Sequence, residues 1–305
     1  MDLSVDVGPL RLRNPVLAAS GTLGYGVEFS EFFDLTRLGG IVAKGLTRHP
    51  QRGNPAPRLV ETASGMLNAV GLDNAGVDAF LAEKLPALRR FGTAIIANIS
   101  GHTVDEYAEM AVLLAAATGL AAIEVNVSCP NIREGGIAFG ASAERITEIT
   151  RLVRQAAPRH PVLVKLSPNV TDIVAMAAAA QEGGAHAVCI ANTWLGMAID
   201  AERRRPALAN VTGGLSGPAI KPLALRMVWQ VHRALPELPI IGLGGIMSGV
   251  DAAEYLLAGA TAVAVGTASL VDPSAAGRVI DGLERYCLRH GVRAARDLTG
   301  ALEIT

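Results

Sequence analysis

The sequence predicts an α/β fold, a TIM (β/α)8 barrel that forms one domain over residues 1–305, with a β-hairpin ahead of its first strand. Short apolar, β-branched runs alternate with helical patterns, and the alternation counts to eight units. The runs are apolar throughout, which indicates strands buried on both faces, as in a parallel sheet. Eight such units in a chain of 305 residues favour a closed barrel over an open sheet.

The predicted elements follow in a regular order. The hairpin, made of SVDV and LRLR, comes first and could close the bottom of the barrel. The predicted strands are Val16–Ala19, Gly40–Lys44, Thr93–Ile99, Ala121–Asn126, Val162–Leu166, Ala187–Ala191, Ile240–Leu243 and Ala262–Gly266. The predicted helices are Glu28–Thr36, Val77–Phe91, Val104–Thr118, Ala141–Ala157, Ile173–Gly183, Lys221–Leu235, Val250–Ala258 and Pro273–His290.

Three loops are much longer than the others: Leu46–Gly76, Val127–Gly140 and Asn192–Ile220. Because each follows a strand, we expect all three on the C-terminal face, where barrel enzymes carry their active sites. Loops of this length in a compact domain are usually functional. Their polar residues include Asn68, Asn74, Asn131, Asn192, Thr193, Asn210 and Ser216. The sequence therefore predicts the functional site among these loops.

Composition excludes several classes of protein. With a net charge of −1 and 4% aromatic residues, the chain lacks the basic surface and stacking side chains typical of nucleic-acid binding. We interpret the triplet Arg203–Arg205 as part of a solvated loop. No apolar run approaches the roughly 20 residues that span a bilayer, and the N-terminus lacks a signal-peptide pattern. We expect a cytoplasmic protein that binds neither nucleic acid nor a membrane.

The three cysteines, Cys129, Cys189 and Cys287, are scattered along the chain. They form no CxxC motif and no Cys/His spacing that suits zinc, and no carboxylate cluster suits a metal ion. The six histidines form no catalytic spacing, although His102 follows a predicted strand and could reach the mouth of the barrel. We expect no metal site, and the cysteine usage is typical of a reducing compartment.

Glycines end the last two predicted strands. Strand seven ends in Gly242–Gly245 and strand eight in Gly266-Thr267, and a helix follows each. Such loops let backbone N–H groups approach a phosphate, and the loops after strands seven and eight are the usual phosphate site of this barrel. The alternative is that these glycines only form tight turns. The run GLGGIM does not match the dinucleotide-binding fingerprint.

Two lysines stand at or near the ends of predicted strands. Lys44 ends the second strand and Lys165 lies near the end of the fifth. A lysine at this depth is rarely buried without an anionic partner. One alternative is a structural ion pair with a carboxylate such as Glu124. Two lysines converging on a phosphate-binding mouth favour an anionic ligand instead.

Cys129 lies in the loop after the fourth strand, three residues beyond Asn126. An exposed thiol on the catalytic face of a barrel can act as a base or nucleophile. A lone cysteine is also often a small buried hydrophobe, and position alone does not decide between these roles. We interpret Cys189, within a strand, and Cys287, on the last helix, as buried hydrophobes.

Six motifs carry a resemblance to a known family that covers almost the whole chain. The sequence is similar to class 1B dihydroorotate dehydrogenase, and together the motifs are highly specific. They span Ala18–Gly26, Arg52–Arg58, Glu61–Leu72, Asn126–Asn131, Val164–Ile173 and Thr212–Pro222.

The resemblance implies roles for particular residues. It implies that Cys129 is the catalytic base. Residues implied to bind FMN are Ser20, Lys44, Gly45, Asn98, Asn126, Lys165, Ile190, Gly217, Gly244, Gly245, Gly266 and Thr267. Residues implied to bind the pyrimidine and its carboxylate are Lys44, Asn68, Ala69, Val70, Gly71, Leu72, Asn126, Asn192 and Thr193. Gly45 departs from the family pattern, because we expect a small residue with a β-carbon at this position in many relatives. The departure could loosen one contact with the flavin.

The implied activity is the oxidation of (S)-dihydroorotate to orotate in pyrimidine (UMP) biosynthesis. The cysteine would take the C5 proton while FMN takes the C6 hydride. A lysine would stabilise the negative charge of reduced flavin, and amides suit the imide edges of a uracil-like ring.

The resemblance also implies partners. We expect a homodimer of this chain within a heterotetramer, in which a second subunit carries FAD and a [2Fe-2S] cluster and passes electrons to NAD. The alternatives are the fumarate-reducing homodimeric class 1A enzyme and the quinone-linked class, which uses serine as base and has an N-terminal amphipathic extension. From the residues alone, a flavin-free barrel lyase or isomerase acting on a phosphorylated substrate, or a non-catalytic binding barrel, stays open.

Overall fold

The computed structural model describes residues 1–128 and 139–304. Its strands are β1 Val5–Val7, β2 Leu10–Leu12, β3 Val16–Ala18, β4 Gly40–Val42, β5 Leu59–Thr62, β6 Gly65–Asn68, β7 Ala94–Ile99, β8 Ala122–Asn126, β9 Val162–Lys165, β10 Ala187–Ile190, β11 Trp194–Met197, β12 Ile199–Asp200, β13 Arg205–Pro206, β14 Thr212–Ser216, β15 Ile240–Leu243 and β16 Ala262–Val265.

The α-helices of the described residues surround the barrel. They are α1 Gly76–Ala79, α2 Leu85–Arg89, α3 Val104–Ala115, α4 Ala143–Ala156, α5 Ile173–Glu182, α6 Lys221–Ala234, α7 Gly249–Leu257, α8 Thr267–Val271 and α9 Ala275–Arg289. A π-helical segment, Phe80–Lys84, joins α1 to α2, so the predicted helix Val77–Phe91 is one helical region with a change of pitch. None of the helices in the described ranges is long and apolar enough to cross a membrane.

The predicted TIM barrel is confirmed. The strands β3, β4, β7, β8, β9, β10, β15 and β16 form a closed barrel in that order, and neighbouring strands pair in parallel. Alternate residues of each strand face opposite sides, which divides the core in two. Ile41 and Ile95 pack outward against the helices, whereas Leu17 and Ile96 fill the interior.

The N-terminal hairpin closes the bottom of the barrel, as predicted. β1 pairs with β2 in antiparallel register, and each strand buries its alternate residues. Val7 and Leu12 belong to the same buried cluster as the interior residues Leu17 and Leu163. The opposite, C-terminal end of the barrel is therefore the end left for a site.

The predicted helix Glu28–Thr36 is wrong. The structure has two short 3-10 turns there, Val27–Phe29 and Leu35–Arg37. The Asp34 side chain accepts a hydrogen bond from the Thr36 N–H, which starts a new turn and competes with a continuous helix.

Two of the predicted long loops contain regular structure. β11, β14, β6 and β5 form an antiparallel sheet that stands above the C-terminal face of the barrel. In its register, Asn68 lies opposite Gly214, and Trp194 lies opposite Leu215. The sheet therefore fixes the parts of both loops that border the barrel mouth. Arg203–Arg205 is exposed where β12 leads into β13, as expected for a solvated loop.

Candidate active site

A cavity of about 250 Å³ opens at the C-terminal ends of the barrel strands. Most of the residues predicted to bind ligands line it. These are Ser20, Lys44, Gly45, Asn68, Val70, Gly71, Leu72, Asn98, Asn126, Lys165, Asn192, Thr193, Gly217, Gly244, Gly245, Gly266 and Thr267.

Two of the predicted site residues that the structure describes, Ala69 and Ile190, are not among the lining residues. Ala69 is fully buried behind the cavity wall, and its carbonyl accepts a hydrogen bond from the Asn54 side chain. Ile190 is also fully buried and packs in the core between barrel and helices. Cys129 lies outside the described residues, as does Asn131.

Sequence reasoning missed several apolar residues of the wall. Met66, Met247 and Leu270 line the cavity, with Thr22 among the polar residues that were also missed. Leu270 follows the second glycine loop closely enough that its position could have been inferred. Met66 lies within the motif Glu61–Leu72, but it was not singled out because the strand character of β6 was not predicted.

The two glycine loops lie side by side at one end of the cavity. Gly244 has φ 128° and Gly245 has φ 65°, values that favour glycine. A β-carbon on Gly244 would lie 2.9 Å from Ala224 Cβ, and one on Gly245 would lie 2.8 Å from Lys221 Cβ. The hydrogen bonds of the described residues include none donated by the N–H groups of Gly244, Gly245 or Gly266. The loops therefore form turns and also offer backbone donors to the cavity.

A charged cluster behind the two glycine loops holds the chain at the first loop, Gly242–Gly245. Lys221 Nζ lies 2.6 Å from Asp251 Oδ1 and 2.9 Å from Glu254 Oε2. Asp251 Oδ2 accepts hydrogen bonds from the N–H groups of Met247 and Ser248. Burial alone would raise the pKa of Asp251, but the hydrogen bonds from Lys221, Ser248 and Met247 outweigh it and hold that pKa below its usual value.

The two lysines of the cavity have no carboxylate partner in the described part of the chain. The ion pairs in the described part of the chain include neither Lys44 nor Lys165. Lys165 is nevertheless buried, with only 6% of the residue exposed. Glu124, the alternative partner, instead accepts a hydrogen bond from Asn98 Nδ2 at 2.5 Å and one from the Cys189 thiol. The lysines therefore leave positive charge for an anionic ligand.

Amide side chains form a hydrogen-bonded row across the floor of the cavity. Asn98 Nδ2 donates to Glu124, so the side-chain oxygen of Asn98 faces Asn126 Nδ2, 3.5 Å away. Ser128 Oγ donates to Asn126 Oδ1 at 3.0 Å, and Asn192 Nδ2 donates to Ser128 Oγ at 2.8 Å. The row fixes the direction of each amide before a ligand binds.

Gly45 allows a close approach beside this row. A β-carbon there would lie 3.0 Å from both Asn98 Oδ1 and Leu72 Cδ2. These two side chains therefore already occupy the space next to Gly45 that a larger residue would contact. Whether a flavin contact is looser at Gly45 stays a prediction.

The other two cysteines have the environment expected of structural residues. Cys189 and Cys287 are both fully buried. Burial raises the pKa of the Cys189 thiol well above its usual value, with Glu124 adding to the effect. Burial also raises the pKa of Cys287. Both thiols are therefore protonated and poorly reactive at neutral pH.

His102 does not line the cavity, but it is connected to it. Its Nε2 lies 3.0 Å from Gln51 Oε1, and Gln51 Nε2 donates to the carbonyl of the lining residue Gly71 at 3.0 Å. Within residues 1–128 and 139–304, no group of three or more metal-ligating side chains is present.

The comparisons with known proteins agree on one family. The model of the family described as dihydroorotate dehydrogenase matches residues 2–287. Three relatives share the name "Dihydroorotate dehydrogenase B (NAD(+)), catalytic subunit". The protein of Geobacter sp. (strain M21) is 55% identical over 303 residues, 99% of both chains. That of Trichlorobacter lovleyi is 57% identical over 301 residues, 99% of this chain and 98% of its own. That of Bacteroides thetaiotaomicron is 52% identical over 303 residues, 99% of both.

Proposed function

Because this chain belongs to the dihydroorotate dehydrogenase family, we propose that it oxidises (S)-dihydroorotate to orotate in pyrimidine (UMP) biosynthesis, as the catalytic subunit of an NAD-linked oxidoreductase. The observation that carries the proposal is that two lysines without carboxylate partners among the described residues, a row of amides and two glycine loops meet in one cavity. Positive charge suits the carboxylate and phosphate groups, and amides suit the pyrimidine ring.

The donor set of the cavity fits FMN. The backbone N–H groups of Gly244, Gly245 and Gly266, which lack acceptors among the described residues, suit a phosphate. Ser20, Gly45, Gly217 and Thr267 line the same cavity. When bound, FMN supplies the acceptor for the hydride that leaves C6 of the substrate. Ile190 would contact FMN only through its backbone atoms, because its side chain is buried in the core.

The remaining residues bind and orient the substrate. Lys44 and Asn126 line the cavity and would contact both cofactor and substrate, and Asn68, Asn192 and Thr193 line the part of the cavity beside the inserted sheet. Lys165 holds a positive charge at the cavity floor, which stabilises negative charge that develops during the oxidation. The N–H groups of Val70, Gly71 and Leu72, which line the cavity, would donate hydrogen bonds to the substrate's carboxylate.

We assign the base to Cys129, which would remove the proton from C5. Ser128, the last described residue before it, is hydrogen bonded to both Asn126 and Asn192, residues that line the cavity. The loop that carries Cys129 therefore begins beside the proposed substrate. Neither of the other two cysteines is suited to this role, because both are buried with raised pKa values.

The electron acceptor is proposed to be NAD, reached through a partner subunit that carries FAD and a [2Fe-2S] cluster. A cluster of this type needs four thiolates, and the chain has three cysteines. The relatives' name, "catalytic subunit", also supports a partner. Leu270, which lines the cavity and is 45% exposed, and its neighbour Val271, which is 72% exposed, would belong to the surface that the partner covers. We propose a homodimer core within a heterotetramer, in the cytoplasm.

Assays of the purified chain with different acceptors test this function. With dihydroorotate it should reduce an artificial dye but not NAD, and adding the partner subunit should confer NAD reduction. Pigment released by heat should be FMN rather than FAD. Efficient NAD reduction by the isolated chain would refute the partner, and rapid fumarate reduction would favour the homodimeric class instead.

A further inference from the structure

The loop 69–72, which borders the substrate end of the cavity, is held from behind by its carbonyls. The carbonyl of Ala69 accepts from Asn54 Nδ2 at 2.9 Å, and that of Val70 accepts from the Asn54 N–H at 3.0 Å. The carbonyl of Gly71 accepts from Gln51 Nε2 at 3.0 Å, and that of Leu72 accepts from Asn74 Nδ2 at 2.6 Å. Four consecutive carbonyls are therefore fixed on the side away from the cavity.

The N–H groups of the same peptides are left for a ligand. These peptide bonds are trans, so each N–H points away from the carbonyl of the residue before it. Val70, Gly71 and Leu72 line the cavity, and no hydrogen bond among the described residues uses their N–H groups as donors. Gly71 and Leu72 both have positive φ, 78° and 56°. Backbone donors grouped in this way form an anion site.

Among the side chains that hold the carbonyls of the loop 69–72, Gln51 is itself oriented by another residue, His102. Its Nε2 must face the Gly71 carbonyl to donate, which leaves Oε1 facing His102 Nε2 at 3.0 Å. The imidazole therefore donates to Gln51 and prevents its amide from turning over. The backbone N–H of His102 in turn donates to Glu106 Oε2 at 2.7 Å, which ties the histidine to the start of α3.

We propose that Gln51, oriented by His102, is a positioning residue that aims the Leu72 N–H at the carboxylate of the substrate. The inference rests on the proposed function, since it presumes that the substrate carries a carboxylate. It predicts that loss of the Gln51 amide weakens binding through that carboxylate, while the pyrimidine ring and the cofactor bind as before.

The test compares flavin-loaded variants in binding of two ligands, orotate and uracil, which lacks the carboxylate. In Gln51→Leu, the orotate Kd should rise about tenfold, the effect of one hydrogen bond. The Kd values for uracil and for FMN should change less than about twofold. Gln51→Glu keeps the size of the side chain but cannot donate to Gly71 when ionised, and it should give the same pattern. Gln155→Leu, on the exposed face of α4, is the matched control and should behave as wild type.

Variants of His102 separate orientation from packing. His102→Leu removes the donor to Gln51 Oε1 and should weaken orotate binding by a smaller factor, about threefold. His102→Gln places an amide donor near the position of Nε2 and should restore most of the affinity. An unchanged orotate Kd in both Gln51 variants would overturn the proposal, as would an equal loss of orotate and uracil binding, which indicates general damage to the cavity. If wild-type protein with bound flavin binds no orotate, the proposed function itself fails.

Discussion

The hydroxyl of Tyr255 donates a hydrogen bond to the carbonyl oxygen of Gly244, with 2.7 Å between the two oxygens. Tyr255 is fully buried on α7, and its burial raises the pKa of the hydroxyl well above its usual value, so it stays protonated and donates. Because the carbonyl of a trans peptide lies opposite the next N–H, this bond turns the Gly245 N–H towards the cavity. A core tyrosine therefore sets the direction of a backbone donor that we propose binds the phosphate of FMN.

Replacing Tyr255 by phenylalanine should weaken FMN binding by roughly 3- to 10-fold, the effect of one hydrogen bond. The ring packs against Gly242, where a β-carbon would lie 2.5 Å from it, and phenylalanine keeps that packing. Titration of the apoprotein by flavin fluorescence measures the Kd. Tyr286→Phe, whose ring lies beside His290 on α9, is the control and should bind FMN as wild type does. An unchanged FMN Kd in Tyr255→Phe would show that the bond does not shape the site.

The cluster around Asp251 should make the folding stability of the protein depend on pH in the acidic range. Its pKa is lowered in the folded protein, so the stability it contributes is fully present above the unfolded pKa of about 3.9 and is lost as the pH falls through the lower, folded pKa. The Tm difference between wild type and Asp251→Asn should stay constant from pH 6 to about pH 4 and shrink below it. Exposed Glu237, changed to Gln, should show no such trend. A constant difference down to pH 3 would contradict the assignment.

The lysines of the cavity should affect different kinetic parameters. Lys165→Met should slow the reduction of bound flavin by dihydroorotate about 100-fold or more, because the developing charge loses its counter-ion. Lys44→Met should in addition raise the KM for dihydroorotate. Lys84→Met, on the outer helices, is the control. Unchanged rate and KM in both cavity variants would mean that the two lysines are structural.

The three thiols should differ sharply in reactivity. Burial raises the pKa of Cys189 and Cys287, so both should resist a thiol reagent at neutral pH in the folded protein. Cys129 should react, and orotate should protect it. Cys129→Ala should bind FMN but lose proton removal, and Cys129→Ser should be slow at neutral pH because a hydroxyl is a weaker base. Mass spectrometry locates the label. Normal flavin reduction in the alanine variant would refute the role of Cys129.

The barrel could be predicted from the sequence because its signal is redundant. Runs such as Ala262–Val265 are apolar on both faces, and eight such strands recur at intervals that a closed sheet accommodates well. The inserted sheet could not be predicted in the same way. Its strands β6 and β14 are short, rich in glycine and only partly buried, so they lack the alternation that marks a strand. The helix proposed at Glu28–Thr36 failed because Asp34 caps a separate turn.

Residues that line the cavity were easier to predict than those that hold them. Lys44 and Lys165 stand out as charges at strand ends, and the glycine pairs stand out as loops. Gln51 and Tyr255 give no such signal, because a glutamine in a loop and a tyrosine on a helix are ordinary residues. Their roles depend on long-range contacts with Gly71 and Gly244, which only the folded chain brings together.

Anaerobic mixing of the purified, FMN-loaded chain with dihydroorotate tests the central claim most directly. Stopped-flow absorbance follows the oxidised flavin without any electron acceptor or partner subunit. The account predicts that the visible flavin band bleaches in a single turnover, that the rate rises with pH through one ionisation, and that orotate is the product. A chain whose bound FMN keeps its full absorbance in saturating dihydroorotate, or one that binds no FMN under any reconstitution, would contradict it.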